Sequence, residues 1–436
     1  MRVVHSRLVG MVVLTVSMLV ATSAFAMAAS VESAVPDKPI ADAEWTIMVY
    51  LDADNTLEVN GFQDLAELEA VGSVLGVNVV VLFDAYTSFT GSHYFYIAPG
   101  SDHILDDGTI KCDCAAIAPD HKCPGELNMA DPKTLTDFMS AAAAYAPADQ
   151  YYLDMWNHGG GWWAICVDDS AEPLPSGSAD RLQMDEVRSA ILATEIHLGI
   201  IGYDACFMGM VEVAYENRGL ADYMVASITT MPGTGYDYTA FLNAITGLKV
   251  KSAEDICRVT VDAYVETYSI CSGGGIGGFP YVSSSVYDLD KVVELVGVGN
   301  AKGGMDALGK ALLEYADDYY LRGAIQSAES QTPQLQFENE RFPFIDIGCF
   351  VELLGDKIPD VSAIAVETFR LLDEAIIYCD SVVTDTGACI NTYGMSVYYT
   401  ICWGHLYENY MTLGLDFVSE TSWDEFLFAF SQAYVE

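Results

Sequence analysis

A histidine and a cysteine stand in equivalent places in this 436-residue sequence. The largely apolar run Tyr151–Trp156 ends in Asn157-His158-Gly159-Gly160-Gly161, and the run Leu198–Tyr203 ends in Asp204-Ala205-Cys206. Both runs have strand length, so both residues fall where a buried strand gives way to a turn. An imidazole beside a thiol helps form the thiolate, which is the nucleophile. The same imidazole then protonates a leaving amine. Acyl transfer also needs backbone N–H groups aimed at the developing oxyanion. Gly159 and Cys206 would supply them, since glycine lets the chain approach a substrate closely. A helix predicted from Met208 to Glu216 would place its N-terminus beside Cys206 and favour the thiolate. Taken singly, a histidine at a strand end is a polar terminus and a cysteine is core or disulfide. The pairing is what points to chemistry. His93, His103, His121 and His197 have no comparable setting, and Trp162 and Trp163 suit core packing or the rim of a cleft.

Elements that position such a pair follow from the periodicity. Trp45–Leu51, Val77–Phe83, Tyr151–Trp156, Leu198–Tyr203 and Val282–Tyr287 read as strands, the first four as strands buried on both faces. Tyr393–Tyr399 reads as a late strand. Helical segments alternate with them: one capped by Asn55 with Glu58 closing a capping box, Pro132–Tyr145 with proline near its first turn, Met184–Thr194, Ser252–Tyr268, and one from Lys291 onward. Strands alternating with helices predict a parallel sheet covered on both faces, with the site at the carboxyl ends of the strands. Residues 164–182 are polar and read as a flexible loop. The stretch SGGGIGG at 272–278 lacks a preceding strand and reads as a loop, not a phosphate cradle.

Composition narrows the class. The formal charge of −43 excludes a nucleic-acid partner, which needs a basic footprint. Much of that charge is expected to serve solubility. Arg2 and Arg7, the apolar run Leu8–Val20 and Ala24-Phe25-Ala26 form a signal peptide cleaved near Ala26. No later segment is long and apolar enough to span a membrane, so a secreted chain, a monomer, is expected. Residues 27–43 read as a linker or short pro-segment, 44–272 as a catalytic domain with an insertion at 99–126, and 273–436 as a region continuing the sheet. Eleven cysteines, an odd number, leave at least one unpaired in a monomer. Cys112, Cys114 and Cys123 with His121 have a spacing that fits no strong zinc motif, so a disulfide-bearing surface insertion is preferred over a metal site.

The segments WTIMVYLDADNTLE, YYLDMWNHGGGW and IGYDACFMGMVEVAYE resemble the signature segments of the clostripain family of cysteine peptidases, in the caspase–legumain–gingipain group. The likeness continues through ADYMVAS, PGTGYDY, SSSVYDLDKV, GMSVYY and FVSETSWDEFL. It implies a caspase-like α/β/α sandwich, its mostly parallel central sheet flanked by helices, with a C-terminal α+β extension. It implies a His158–Cys206 dyad, oxyanion donors at Gly159 and Cys206, and a peptide or protein substrate cleaved after Arg or Lys. Asp204 matches the family's acidic pocket residue, and a carboxylate suits a guanidinium. The sequence departs from some relatives where Thr229, Thr230 and Thr234 replace acids. Asp237 is the nearest remaining acid, so Thr234 and Asp237 are the further candidates for the pocket.

The resemblance also implies self-cleavage between the two residues, for which Arg181, the only basic residue of the 164–182 loop, is the candidate. No cofactor is required for the chemistry. Calcium is implied for some relatives, and Asp52, Asp54, Asp168 and Asp169 offer oxygen ligands, with solvated surface acids the plainer reading. A catalytically silent binding protein on the same scaffold, or a peptidase with a non-basic preference, are the alternative readings.

Overall fold

The computed structural model describes residues 38–436 apart from 87–90, 105–109, 121–124, 173–177, 249–250, 272–280, 338–339, 384–391, 401–404 and 433–436. The signal-peptide and 27–37 readings, the 272–278 loop, and His121 and Cys123 lie outside the described residues. Thirteen strands occur among the described residues: β1 Ala43–Ala53, β2 Val77–Ala85, β3 His93–Tyr96, β4 Ala148–Trp156, β5 Ile165–Asp168, β6 Asp180–Leu182, β7 Leu198–Asp204, β8 Ala221–Ala226, β9 Tyr281–Asp288, β10 Gln334–Phe337, β11 Glu340–Asp346, β12 Ile376–Val383 and β13 Ser396–Tyr398.

Eight of these form one sheet in the order β12-β9-β8-β7-β4-β1-β2-β3. The five inner strands from β8 to β2 are mutually parallel, and β3, β9 and β12 pair antiparallel with their neighbours. The α/β/α sandwich expected from the alternation is therefore the observed architecture. Its inner strands bury both faces, as the continuous apolar runs require. Met48 and Tyr50 of β1 point into one core with Leu153 and Met155 of β4. Ile47, Val49 and Leu51 point into the other with Tyr152 and Trp156. The helices Glu58–Val71, Tyr238–Gly247 and Ala253–Cys271 cover the second face. Those beginning at Pro132, Met184 and Leu289 are among the helices covering the first.

Local signals account for several helix boundaries. Asp131 accepts the Lys133 N–H ahead of Pro132, and Gln183 with Glu186 forms a capping box ahead of Met184. Three expectations are corrected. Asn55 does not cap a helix: it accepts the Leu57 N–H and donates to Val167 O, and the helix starts at Glu58 without a side-chain cap. The 164–182 segment is not one flexible loop, because β5 and β6 pair across it as an antiparallel hairpin. Tyr393–Tyr399 contributes β13, which belongs to a separate sheet, β10-β11-β13, and not to the large one.

Candidate active site

Strand register brings the two candidate residues together. In the β4–β7 pairing Met155 lies opposite Tyr203 and Trp156 opposite Asp204. His158 and Cys206 each follow two residues later, so both leave the sheet at its carboxyl edge, side by side. Gly159 closes the gap. A Cβ placed there would stand 2.3 Å from Cys206 O and 2.8 Å from Cys206 N. Only glycine allows the two backbones this close. The Gly160 N–H donates to Ala164 O at 2.9 Å.

His158 is held by a residue the sequence did not flag. Its Nε2 lies 2.9 Å from Thr56 Oγ1, beyond the end of β1. Below it, Asn157 donates through Nδ2 to Asp52 O at 3.0 Å and to Val167 O at 3.1 Å, fixing the turn that carries the imidazole. The histidine side chain is exposed, yet the cleft walls thin its solvation and lower its pKa, with the Asp169 charge opposing. Cys206 is hydrogen-bonded not to His158 but to the facing loop: Met231 N–H donates to its Sγ at 3.2 Å.

The helix-dipole expectation for the thiol does not hold. The helix begins at Val211, not Met208, and Cys206 sits in the turn before it. Burial pushes the thiol up to about 11, with the Met231 N–H pulling down and Asp204 pushing up. Burial thus disfavours the charged form of both groups. The residue after Cys206, Phe207, has φ +62, a conformation that costs a bulky side chain about 1–2 kcal/mol. Its N–H bonds to Thr229 O at 2.9 Å and its ring packs on Phe342, with centroids 4.3 Å apart. These contacts hold the strained turn.

A pocket of about 300 Å³ opens beside the pair. Its lining includes His158, Gly159, Cys206, Asp204, Met231 and Phe342. Asp204 is buried, and Tyr236 N–H and Tyr238 OH donate to its Oδ2 at 2.9 and 3.2 Å. Gly235, with φ +44, is obligatory: a Cβ there would lie 2.3 Å from Asp204 Oδ2. Asp204 has acidic company that the sequence reading missed. Burial raises the carboxyls of all four, Asp204, Asp154, Asp64 and Glu67, and the neighbouring acids add to this at two of them: Asp154 and Glu67 push Asp204 up, and Asp204, Glu67 and Asp154 push Asp64 up. Asp64 accepts the Trp156 Nε1–H at 2.7 Å and Asp154 accepts Tyr238 OH at 2.7 Å. One oxygen each of Asp64 and Asp154 is buried without a hydrogen-bond partner. Thr234 and Asp237 are not in the lining. Thr234 Oγ1 pairs with Tyr268 OH at 2.9 Å, and Asp237 caps the helix Tyr238–Gly247 through the Ala240 N–H.

Arg181 sits in β6, its guanidinium 4.1 Å from the Trp163 ring centroid. Leu182, on the far side of the bond that would be cut, is fully buried. Cleavage there requires the hairpin to open. Trp162 is core, edge-on to Tyr398 and Tyr410.

The candidate metal ligands divide. Asp169 is exposed, and its backbone N–H donates to Asp54 O at 2.9 Å. Asp168 accepts the N–H groups of Met129, Ser170 and Ala171. Asp52 is tied to Asn157. Asp54 instead joins two residues absent from the sequence reading: one oxygen each of Asp54, Asp84 and Glu126 lie within 4.8 Å of one another. Asp54 Oδ2 and Asp84 Oδ2 are buried without hydrogen-bond partners, and burial raises both carboxyls, with Glu126 pushed up to about 7. An all-oxygen donor set of this kind fits a hard divalent cation.

Comparison with known proteins agrees with this layout. The peptidase C11 model, described as the clostripain family, matches residues 49–429. Clostripain from Hathewaya histolytica is 33% identical over 226 residues, which are 46% of this chain and 42% of that protein. The chain thus spans less than half of that curated relative's length. A secreted C11 cysteine protease from Bacteroides thetaiotaomicron, solved with an irreversible peptide inhibitor, superposes with a TM-score of 0.62 at 20% identity, covering 88% of this chain and 100% of that one. An inactive zymogen C11 protease from Parabacteroides distasonis gives 0.59 at 20% identity, covering 88% and 99%. These two likenesses speak to the fold, and the family match runs through both strand ends that carry His158 and Cys206. This protein belongs to the clostripain family.

Proposed function

We propose that the protein is a cysteine endopeptidase. The observation that carries the reading is the β4–β7 register, which sets His158 and Cys206 at one sheet edge with Gly159 backed onto the Cys206 peptide. His158 takes the Cys206 proton as Sγ attacks the scissile carbonyl. The Gly159 and Cys206 N–H groups receive the oxyanion. His158 returns the proton to the leaving amine, and water then hydrolyses the acyl-enzyme. The raised thiol pKa favours deprotonation in concert with attack. The test is hydrolysis of an arginyl or lysyl peptide amide by the purified protein, abolished in Cys206→Ala.

A preference for Arg or Lys before the cut bond is part of the proposal. Asp204 at the pocket wall, backed by Asp154, Asp64 and Glu67, belongs to a carboxyl cluster whose ionised form burial disfavours and a guanidinium or ammonium group would stabilise. A library of peptide substrates varied at that position tests it, and a peak at Asp or Asn would overturn it. The signal-peptide pattern supports export. Calcium is the proposed ion for Asp54, Asp84 and Glu126, where it would order the chain segments that hold Thr56 and Asn157 around His158. Self-processing between His158 and Cys206 completes the reading, and an active enzyme running as one intact chain would exclude it.

A further inference from the structure

The geometry points to a zinc-class metal site on the far edge of the large sheet, formed by His93, Cys112 and Cys114. These three residues each offer one donor atom, and the three donors lie within 4.8 Å of one another. His93 belongs to the edge strand β3, and the two cysteines belong to the 99–126 insertion. That insertion lies along β3: Asp113 N–H donates to Tyr94 O at 2.8 Å, Asp113 Oδ2 accepts Tyr96 N–H at 2.9 Å, and Ser92 N–H donates to Gly125 O at 3.0 Å. The cluster therefore sits where the insertion is laid over an exposed sheet edge. An unprotected edge strand invites pairing with other chains, and a metal bridging strand and cover would fix the cover in place.

The donor chemistry selects the ion. One imidazole and two sulfurs are borderline-to-soft ligands, suited to zinc and poor for calcium or magnesium. The two thiols bind as thiolates, so each ion taken up releases two protons. Tyr94 N–H donates to Cys114 Sγ at 3.4 Å. His93 and Cys114 are buried and Cys112 is half-buried, so the ion would enter from the Cys112 side. Cys123, the third cysteine of the expected disulfide-bearing insertion, lies outside the described residues, so the cluster is argued on His93, Cys112 and Cys114 alone. The site stands three strands away from β4 and is independent of the peptidase reading.

The test uses the full chain in a Cys206→Ala background, so that the candidate active-site thiol contributes nothing. Reduced protein is loaded with zinc chloride, freed of excess, and its metal content measured by mass spectrometry. About one zinc per chain is expected, falling at least tenfold in Cys112→Ser/Cys114→Ser. Cobalt should give a thiolate charge-transfer band that the double variant lacks. Because Cys114 is buried, the single variant Cys112→Ser serves as a second arm, in which zinc should no longer raise the melting temperature. Absence of zinc from the reduced parent, or equal zinc in parent and double variant, would overturn the proposal. So would a Cys112–Cys114 disulfide that persists in protein prepared without reductant in the presence of zinc.

Discussion

Thr56 Oγ1 lies 2.9 Å from His158 Nε2, so the imidazole proposed as general base is steadied by a hydroxyl just beyond the end of β1. A hydroxyl can donate or accept, so it holds the ring without committing it to the charged form. Thr56→Val keeps the shape and removes this bond. A single neutral hydrogen bond corresponds to roughly a 3–10-fold loss in kcat, with KM little changed. Steady-state kinetics on an arginyl peptide amide reads this. A pure KM effect would show that Thr56 serves the substrate and not the histidine.

Gly159→Ala places a methyl group 2.3 Å from Cys206 O. The strand end must move, and the donor geometry with it. Loss of about 100-fold or more in kcat is expected, with the melting temperature changed by a few degrees. Wild-type activity in this variant would remove Gly159 from the oxyanion site.

The pH behaviour follows from two opposite shifts. His158 titrates below its ordinary value and Cys206 at about 11. Activity should fall on the acid side as His158 takes up a proton, with a midpoint below about 6.5. It should show no alkaline limb before pH 9. Iodoacetamide alkylation of Cys206 in the ligand-free enzyme should rise with pH toward about 11. An alkylation midpoint below 7 would mean a preformed thiolate pair.

Asp204→Asn separates specificity from folding. The ratio of kcat/KM for arginyl over norleucyl substrates should drop about 10–100-fold, the range for a lost charge-assisted contact. The same variant has a pH signature. Burial, then Asp154, raises the Asp204 carboxyl in the folded protein. Such a group costs stability progressively as pH climbs from about 4, the unfolded value, toward the folded value. Asparagine does not titrate, so the variant should gain melting temperature relative to the parent at pH 8 and not at pH 4.

Asp84→Asn tests the proposed calcium site. In the parent, calcium should raise the melting temperature and a chelator should lower activity. In the variant both responses should shrink at least fivefold, since one ligand charge is gone. Calcium responses equal in the two proteins would place the ion elsewhere.

The sheet and both strand ends were legible in the sequence, because a continuous apolar run has few other uses and His158 and Cys206 each close one. What escaped was the chemistry of facing loops. Thr56, Met231 and Phe342 reach the site only through tertiary packing, and none has a local pattern that marks it. The helix after Cys206 starts three residues later than the periodicity predicts, because Met208 and Met210 continue the apolar pattern yet pack as an extended turn. Asp154 in YYLDMW and Asp84 in VVVLFDA are carboxylates inside buried strands, a placement that calls for a partner or a cation. Asp237 misled for the opposite reason: an acid one residue before a helix is usually its cap.

Hydrolysis of an arginyl or lysyl peptide amide by the wild-type protein and by Cys206→Ala, at equal folded concentration, tests the central claim most directly. Release of the amine by the wild type and its loss by at least about a thousandfold in Cys206→Ala is the predicted result, as removal of a catalytic nucleophile entails. Equal turnover by the two proteins, or none by a folded wild type, would contradict it.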